Sequence, residues 1–340
     1  MARDEQENVH PVIIVGGGPV GLTCSILLSI RGIPNILYER HASTSIHPKA
    51  CGINQRTMEV FRTMGVEEDI YAQATPSEVA GRTAWYTSLG DEGREVFSRD
   101  AWGGGQYAAE YATYSPSKYS ILPQIRLEPI LKRRALALNP NGILSYHEVL
   151  TVENRAHFAE VTVQDRETRK IFQCKAYYIL IADGGRQFTS RLGVHWEGEA
   201  NLTTMISAHI RAPIRQLHPD NRNFMTWFTN PAMGGSTRTG YLYQLGPWPE
   251  AMINPQIEEW MFVCGVTEDD PQLFDEKAAL ARAKKTIGIP DLDIELLSLT
   301  HWTVNAIYAS RWRIDRCFLV GDSAHRIPPW GGKFAAGQDS

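Results

Sequence analysis

This chain of 340 residues lacks the features that mark several specialised protein classes. Its formal charge is only -4 and it has no basic run, so nothing indicates nucleic acid as a partner. The five cysteines are an odd number and lie far apart, which is typical of reduced thiols in a cytoplasmic protein and not of disulfides or a metal site. No apolar run is long enough to cross a bilayer, so no integral membrane segment is expected.

A glycine-rich turn stands near the start of the chain. The apolar run 12–15 predicts a strand, and it leads into Gly16-Gly17-Gly18-Pro19-Val20-Gly21. Gly16 and Gly18 would let the backbone approach a diphosphate, and Gly21 would let the following helix lie close to the sheet. A helix from Val20 to about Ile30 is expected, with its N-terminal N–H groups directed at the anion. The motif therefore predicts a dinucleotide site.

An acidic residue follows at the expected spacing. Residues 35–38 predict a second strand, which ends in Glu39, 18 residues beyond Gly21. A carboxylate at an offset of about 20 residues can accept hydrogen bonds from an adenosine ribose. Glu39 would repel a 2′-phosphate and so disfavours NADP, whereas Arg40 could receive that phosphate instead. The motif by itself leaves FAD and NAD open.

The rest of the chain predicts a discontinuous arrangement. Helices are expected at 55–64, 127–138 and 276–287, and strands at 82–86, 145–152 and 159–164. A buried strand at 177–181 leads into Asp183-Gly184, and another at 317–320 leads into Gly321-Asp322. A Rossmann-like α/β domain should therefore comprise residues 9–75, 120–198 and 300–340. An inserted β-rich substrate domain should comprise 76–119 and 199–299.

Two tyrosines are candidates for contact with a substrate. Alternation at 224–228 and 240–245 predicts a second sheet that is polar on one face and aromatic on the other. Tyr241 and Tyr243 lie two residues apart on one strand and so face the same side. They could cover a substrate or simply belong to the core.

Three segments together resemble the signatures of the class A flavoprotein aromatic hydroxylases. They are the turn at 16–21 with Glu39, the Asp183-Gly184 turn, and Gly321-Asp322-Ser323-Ala324-His325-Arg326-Ile327-Pro328-Pro329. The segments 47–50, 55–59 and 122–129 are similar to the phenol and chlorophenol hydroxylase branch. This resemblance implies the fold of para-hydroxybenzoate hydroxylase, in which a Rossmann-like FAD-binding domain of the glutathione reductase type carries an inserted β-sheet substrate domain. The resemblance spans about residues 9–333.

The resemblance implies FAD as the bound cofactor and NAD(P)H as a transient co-substrate. Glu39 would hold the adenosine ribose, and Gln124 and Arg126 would lie along the ribityl-pyrophosphate stretch. Asp322 would accept a hydrogen bond from a ribityl hydroxyl, and Asp183 and Gly184 would serve both FAD and NAD(P)H. The full implied cofactor set is Gly16, Gly18, Pro19, Val20, Gly21, Glu39, Arg40, Lys49, Gln124, Arg126, Asp183, Gly184, Asp322, Pro329, Gly331, Gly332 and Ala335.

The implied reaction is hydroxylation of a phenolic or polyketide-type aromatic with NAD(P)H and O2, through a C4a-hydroperoxyflavin. Tyr241, Tyr243 and His325 are the candidate catalytic residues, although His325 could equally be a packing element. Cys51 stands where related phenol hydroxylases carry an acid, which argues against simple phenol as the substrate. The resemblance also favours a homodimer.

Departures from the family pattern leave an alternative open. Gln187 replaces a usual serine in the middle motif, and residues 333–340 do not continue into the expected glycine and asparagine-containing helix. These departures suggest a C-terminally shortened product, and with it an inactive flavin-binding remnant or a partner-binding pseudoenzyme. A halogenase is less expected, because the Trp-x-Trp-x-x-Pro run of such enzymes is absent. A simple NAD dehydrogenase would leave residues 321–329 unexplained.

Overall fold

The chain forms two large β-sheets, in a computed structural model that describes residues 9–266, 270 and 274–329. The helices are α1 (Pro19–Ile30), α2 (Gln55–Met64), α3 (Glu67–Tyr71), α4 (Ser77–Ala80), α5 (Ala108–Tyr114), α6 (Gln124–Leu138), α7 (Phe188–Arg191), α8 (Ser236–Thr239) and α9 (Glu276–Ile287). The strands are β1 (Val9–Val15), β2 (Asn35–Glu39), β3 (Gly52–Ile53), β4 (Arg82–Tyr86), β5 (Glu95–Asp100), β6 (Ser120–Ile121), β7 (Ile143–Ser145), β8 (His147–Asn154), β9 (Ala159–Asp165), β10 (Ile171–Ile181), β11 (Trp196–Arg211), β12 (Asn223–Phe228), β13 (Tyr241–Gly246), β14 (Glu259–Gly265), β15 (Glu295–Ala309), β16 (Arg313–Ile314), β17 (Cys317–Leu319) and β18 (His325–Arg326).

The first sheet brings distant parts of the chain to one edge. Its strand order is β16-β17-β10-β1-β2-β7, with β8 and β9 added as an antiparallel meander beside β10. Strands β17, β10, β1 and β2 run parallel to one another. Their carboxyl ends therefore lie at the same edge, which is where ligands bind in open α/β sheets. The turns after these strands begin at Gly321, Ala182, Gly16 and Glu39–Arg40.

The apolar residues of β1 explain why it occupies the centre of this sheet. Val12 and Ile14 pack on one face with Leu22 and Ile26 of α1. Ile13 and Val15 pack on the opposite face, against the meander side. A strand buried on both faces carries a continuous apolar run and not an alternating one.

Local capping signals fix two of the predicted helices. Helix α2 begins after Asn54, whose side chain accepts a hydrogen bond from the Thr57 N–H, and ends at Gly65 in the left-handed conformation. Helix α9 begins after Asp275 and ends at Gly288 in the same way. Both predicted ranges are confirmed. The predicted helix at 127–138 instead begins at Gln124, which places Arg126 in its first turn.

The second sheet has the order β18-β15-β11-β14-β13-β12-β4-β5. It is antiparallel apart from the β12–β4 pair, which is parallel. Strand β13 lies in its interior and is buried at every residue from Tyr241 to Gly246. The expectation of one polar face was therefore wrong for this strand. Leu242 packs in the cluster that includes α9, while Tyr241 and Tyr243 pack in a separate aromatic cluster on the other face.

Two further sequence expectations require correction. The segment 177–181 is only partly buried, because Tyr177 and Tyr178 are 49% and 44% exposed. The predicted boundaries at residues 198 and 300 also shift, because β11 and β15 pair with each other from Trp196 to Ala309 in the second sheet. The chain re-enters the first sheet only at β16. Within the described residues, no helix is both long enough and apolar enough to cross a membrane.

Candidate functional site

The turn after β1 combines tight packing with open space. A Cβ on Gly16 would lie 2.4 Å from the Ala182 oxygen, and one on Gly21 would lie 1.9 Å from the Gly16 oxygen, so both positions require glycine. A Cβ on Gly18 would meet no atom within 4 Å. Gly18 caps the N-terminus of α1, and Pro19 occupies the first turn. Open space therefore lies beside a helix N-terminus, as an anion site requires.

Glu39 lies beside this turn, as predicted. The Gly17 N–H donates to Glu39 Oε2 over 2.7 Å, and the His41 N–H donates to Oε1 over 2.8 Å. The carboxylate is thus held at the end of β2, next to the first glycines of the turn. Arg40 follows directly, and its carbonyl oxygen accepts a hydrogen bond from Arg166. A contact between the Arg40 side chain and a cofactor stays a prediction.

The two glycine motifs from opposite ends of the chain are in contact. A Cβ on Gly321, whose φ is +61°, would lie 2.8 Å from Val20 Cγ2 in the first turn of α1. Asp322 follows Gly321 and is exposed to water. Desolvation by the surrounding protein nevertheless raises the pKa of the Asp322 carboxyl, against the opposing charges of Arg326, His325, Lys49 and Arg186. Asp322 is thus open to water and also surrounded by protein atoms, as a residue in a cleft is.

The Asp183 carboxylate bonds to two neighbouring turns. Its Oδ1 accepts hydrogen bonds from the Gly185 N–H and the Ser323 hydroxyl, and its Oδ2 accepts from the N–H groups of Gln187 and Phe188. These four bonds occupy the acceptor positions of the carboxylate. Asp183 therefore joins the turn after β10 to the turn after β17, and its contact with a cofactor stays a prediction.

Arg326 also joins these turns, although the sequence pattern did not indicate it as a site residue. Its guanidinium donates to the Gly184 oxygen over 2.9 Å and to the Gly185 oxygen over 2.5 Å. The same group lies 5.0 Å from the centre of the Trp196 ring. The sequence places Arg326 four residues after Asp322, but its partners Gly184 and Gly185 lie more than 140 residues away and no local pattern indicates them.

Gln124 and Lys49 meet at the start of α6. The Gln124 N–H donates to the carbonyl oxygens of Pro48 and Ala50, each over 2.9 Å. Lys49, between them, has a positive φ of 50°, and its carbonyl oxygen accepts a hydrogen bond from the Tyr243 hydroxyl over 3.2 Å. The Gln124 side chain bonds to Glu128, whose other carboxylate oxygen accepts from the Ser45 N–H. The loop before β3 is thus held firmly against α6.

The side chain of Arg126 contacts the second sheet. Its guanidinium donates to the Leu245 oxygen and pairs with Glu259 Oε2 at 2.8 Å. His209 lies 3.1 Å from the same oxygen. Burial alone would raise the pKa of Glu259, but the hydrogen bond to His209 and the charge of Arg126 outweigh it and lower that pKa. Arg126 therefore completes a charged network between α6 and the second sheet, and its predicted contact with a cofactor stays a prediction.

Tyr241 and Tyr243 lie side by side in an aromatic cluster. Their ring centroids are 6.2 Å apart, Trp227 lies 4.4 Å from Tyr241, and Phe224 lies 5.7 Å from Tyr243. Cys51 packs at the edge of the cluster, and burial raises the pKa of its thiol to about 12. Desolvation likewise raises the pKa values of both tyrosines. These groups are therefore neutral near pH 7.

His325 packs beside Trp312, with the two ring centroids 6.0 Å apart. Its Nδ1 atom is buried and has no hydrogen-bond partner within the described part of the chain. A catalytic role for His325, Tyr241 or Tyr243 stays a prediction. Pro329 is the last described residue, and the predicted contacts of Gly331, Gly332 and Ala335 lie outside the described residues.

A separate cavity of about 510 Å³ opens elsewhere, at the outer part of the second sheet. Polar residues dominate its lining, which includes Ser88, Glu92 and Lys285. None of the predicted site residues lines it. The cavity is therefore not part of the cleft between the glycine motifs.

The residues at the carboxyl edge of the first sheet suit FAD. The open space at Gly18 and the N-terminus of α1 are suited to the pyrophosphate, and Glu39 is suited to the adenosine ribose. Asp322 offers a carboxylate to a second set of hydroxyls on the other side of the same helix start. FAD has a ribose on one side of its diphosphate and a ribityl chain on the other, and both carry hydroxyls. These groups match the two carboxylates and the helix N-terminus.

Comparisons with known proteins support this assignment. The FAD binding domain family matches residues 10–334. A phenol 2-monooxygenase from Pseudomonas sp. (strain EST1001) is 31% identical over 94% of this chain and 49% of its own length. A 2,4-dichlorophenol 6-monooxygenase from Delftia acidovorans is 29% identical over 94% of this chain and 53% of its own length.

A solved structure of a flavin-dependent monooxygenase has a similar fold. The flavin-dependent monooxygenase PieE, determined with FAD and substrate, superposes with a TM-score of 0.85 at 29% identity, over 96% of this chain and 55% of its own. The chain spans about half the length of the curated relatives that it matches. It belongs to the FAD binding domain family, and its resemblance to the class A flavoprotein aromatic hydroxylases is confirmed.

Proposed function

We propose that this chain acts in an FAD-dependent monooxygenase that hydroxylates a phenolic or polyketide-type aromatic ring, with NAD(P)H and O2 as co-substrates. The observation that carries the proposal is the junction of two sites. The turns at Gly16 and Gly321 form one cleft, and Tyr243 of the aromatic cluster bonds directly to the loop at Lys49 beside that cleft. The names of the phenol and dichlorophenol monooxygenases that resemble the chain support the aromatic substrate.

FAD would supply the two-electron chemistry that links NAD(P)H oxidation to transfer of one oxygen atom from O2 to the ring. The protein would contribute binding, through Gly18, Glu39 and Asp322, and exclusion of water, through the second sheet. The aromatic cluster offers flat apolar surfaces to a ring. Because Cys51 and both tyrosines stay neutral, the cluster favours a substrate whose hydroxyl ionises readily without a carboxylate base.

Isotope labelling tests the proposed activity. The purified chain, supplied with FAD and NADH or NADPH under ¹⁸O2, should convert phenol, 2,4-dichlorophenol or a hydroxylated polyketide into a product that gains one ¹⁸O atom. Mass spectrometry of the product and the rate of NAD(P)H oxidation measure this. Bound FAD with no labelled product from any of these aromatics would instead support the inactive flavin-binding alternative, which the comparisons do not favour.

The division into an FAD-binding domain and a substrate domain supports the same proposal, with the boundaries moved to β11 and β15. A homodimer and a cytoplasmic location stay predictions from the sequence. Light scattering of the purified chain measures the first, and the position of a fluorescent fusion in the cell measures the second.

A further inference from the structure

The loop Ser45–Cys51 connects the cofactor cleft to the aromatic cluster, and its geometry is unusual at one residue. Lys49 has a φ of 50°, a left-handed conformation that costs energy for any residue with a side chain. Such a conformation persists only where surrounding contacts hold it. The contacts of this loop therefore indicate what the strained residue does.

The carbonyl groups on either side of Lys49 point to the first sheet's helices. Pro48 and Ala50 both accept hydrogen bonds from the Gln124 N–H at the start of α6. The Cys51 oxygen accepts a hydrogen bond from the Leu122 N–H over 2.8 Å. The loop is therefore anchored on the side of the cofactor cleft by backbone bonds that flank Lys49.

The carbonyl of Lys49 itself points the other way. It accepts the hydrogen bond from the Tyr243 hydroxyl, whose ring is buried in the aromatic cluster of the second sheet. Burial raises the pKa of Tyr243 well above its usual value, so the hydroxyl keeps the proton that it donates. Because Lys49 is left-handed, the carbonyls of Pro48 and Ala50 accept from Gln124, while the carbonyl between them accepts from Tyr243.

The charge of Lys49 also acts on the cofactor turn. Desolvation raises the pKa of the Asp322 carboxyl, and the positive charge of Lys49 is one of those that oppose this rise. The residue thus contacts the aromatic cluster through its backbone and the cofactor turn through its charge.

We infer that Tyr243 is a positioning residue that holds Lys49 in its left-handed conformation and so sets the geometry of the FAD cleft. The inference rests on the proposed function for the identity of the cofactor. It assigns Tyr243 a role that differs from the catalytic one expected from the sequence. It also predicts that changes in the aromatic cluster alter FAD binding, because the two sites share one strained residue.

Matched phenylalanine variants test the inference. Tyr243→Phe removes the hydroxyl and keeps the ring, and we expect FAD to bind about fivefold more weakly, as the loss of one hydrogen bond predicts. Tyr241→Phe removes the neighbouring hydroxyl on the same face, which forms no bond to Lys49 in the described residues, and should leave the FAD dissociation constant within twofold. Titration of the apo chain with FAD measures both.

A change at Lys49 distinguishes positioning from packing. Glycine adopts the left-handed conformation with little cost, so in a Lys49→Gly background the Tyr243→Phe change should alter FAD affinity by less than twofold. An equal loss in both backgrounds, or no loss in either, would overturn the inference. Such a double-mutant cycle isolates the coupling between the two residues.

Hydrogen exchange provides a readout that does not need FAD. In the apo chain, amides of residues 45–51 should exchange faster in Tyr243→Phe than in Tyr241→Phe, while α9 exchanges at the same rate in both and reports intact folding. Equal exchange in the loop would contradict the inference. A wild-type chain that fails to bind FAD would count against the proposed function instead, and the exchange result would still decide this one.

Discussion

At the residue scale, three glycines of one turn have different physical purposes. Gly16 and Gly21 are required because a side chain would collide with backbone atoms at 2.4 and 1.9 Å. Gly18 is surrounded by open space and has a φ of -74°, which any residue adopts. The packing of the fold therefore does not require glycine at this position, and the predicted approach of a diphosphate is the reason we propose for it.

This difference predicts opposite effects of the same substitution. Gly21→Ala should destabilise the protein by roughly 1–3 kcal/mol, because the new methyl group overlaps the Gly16 carbonyl. Gly18→Ala should leave the free energy of unfolding within about 0.5 kcal/mol and weaken FAD at least about tenfold, a change of roughly 1.4 kcal/mol. Thermal unfolding and FAD titration measure the two effects. A Gly18→Ala variant with normal FAD affinity would remove this space from the cofactor site.

At the scale of elements, α6 links the two sheets through charge as well as backbone. Arg126 and Glu259 form a partly buried pair, with each side chain 17% exposed. Glu259 also lies beside His209 of β11, and the guanidinium of Arg126 reaches the Leu245 carbonyl at the end of β13. The first turn of α6 thus contacts two strands of the second sheet, β13 and β14, and Glu259 extends the network to β11.

Removal of the arginine should therefore affect stability more than cofactor binding. We expect Arg126→Met to destabilise the protein by roughly 2 kcal/mol, because it leaves the Glu259 carboxylate without its main charged partner. Adding Glu259→Gln should recover part of that loss. Denaturant unfolding measures both variants. If Arg126→Met instead kept full stability and lost FAD affinity, the sequence-based cofactor role would be the correct one.

The loop before β12 contains a buried histidine that predicts a pH dependence. His218 Nδ1 accepts from the Asp220 N–H, and Nε2 lies 2.8 Å from the Thr226 hydroxyl. Burial lowers the pKa of His218 to about 4, although nearby Asp220 and Glu95 oppose the shift. The folded state therefore binds this proton less readily than the unfolded chain, where the pKa is about 6.5.

Stability from this residue should be complete above pH 6.5 and should be lost as the pH falls towards 4. The loss is on the order of 3 kcal/mol, from a pKa difference of about 2.5. His218→Gln, which can keep both hydrogen bonds without titrating, should show a shallower slope over the same range. Urea unfolding at several pH values measures the slopes, and equal slopes in the two proteins would exclude His218 as the cause.

At the scale of the whole molecule, local patterns predicted more than long-range contacts. The ranges of α2 and α9 follow from Asn54, Gly65, Asp275 and Gly288, which act within one turn of the chain. The glycine turn and Glu39 were predictable for the same reason. The partner of Arg126 lies 133 residues away, and Asp183 is bonded to Ser323. Which residues form such pairs depends on tertiary packing, and local sequence patterns do not indicate it. The burial of both faces of β13 likewise depends on tertiary packing.

The two glycine motifs meet because the parallel strands β1 and β17, which precede them, end at the same edge of the first sheet, and this convergence is the basis of the account. The most direct test is equilibrium titration of the apo chain with FAD, followed by flavin fluorescence, with NAD added as a competitor. The account predicts saturable binding of one FAD per chain that an equal concentration of NAD does not displace. Absence of saturation, or displacement of FAD by NAD, would contradict it.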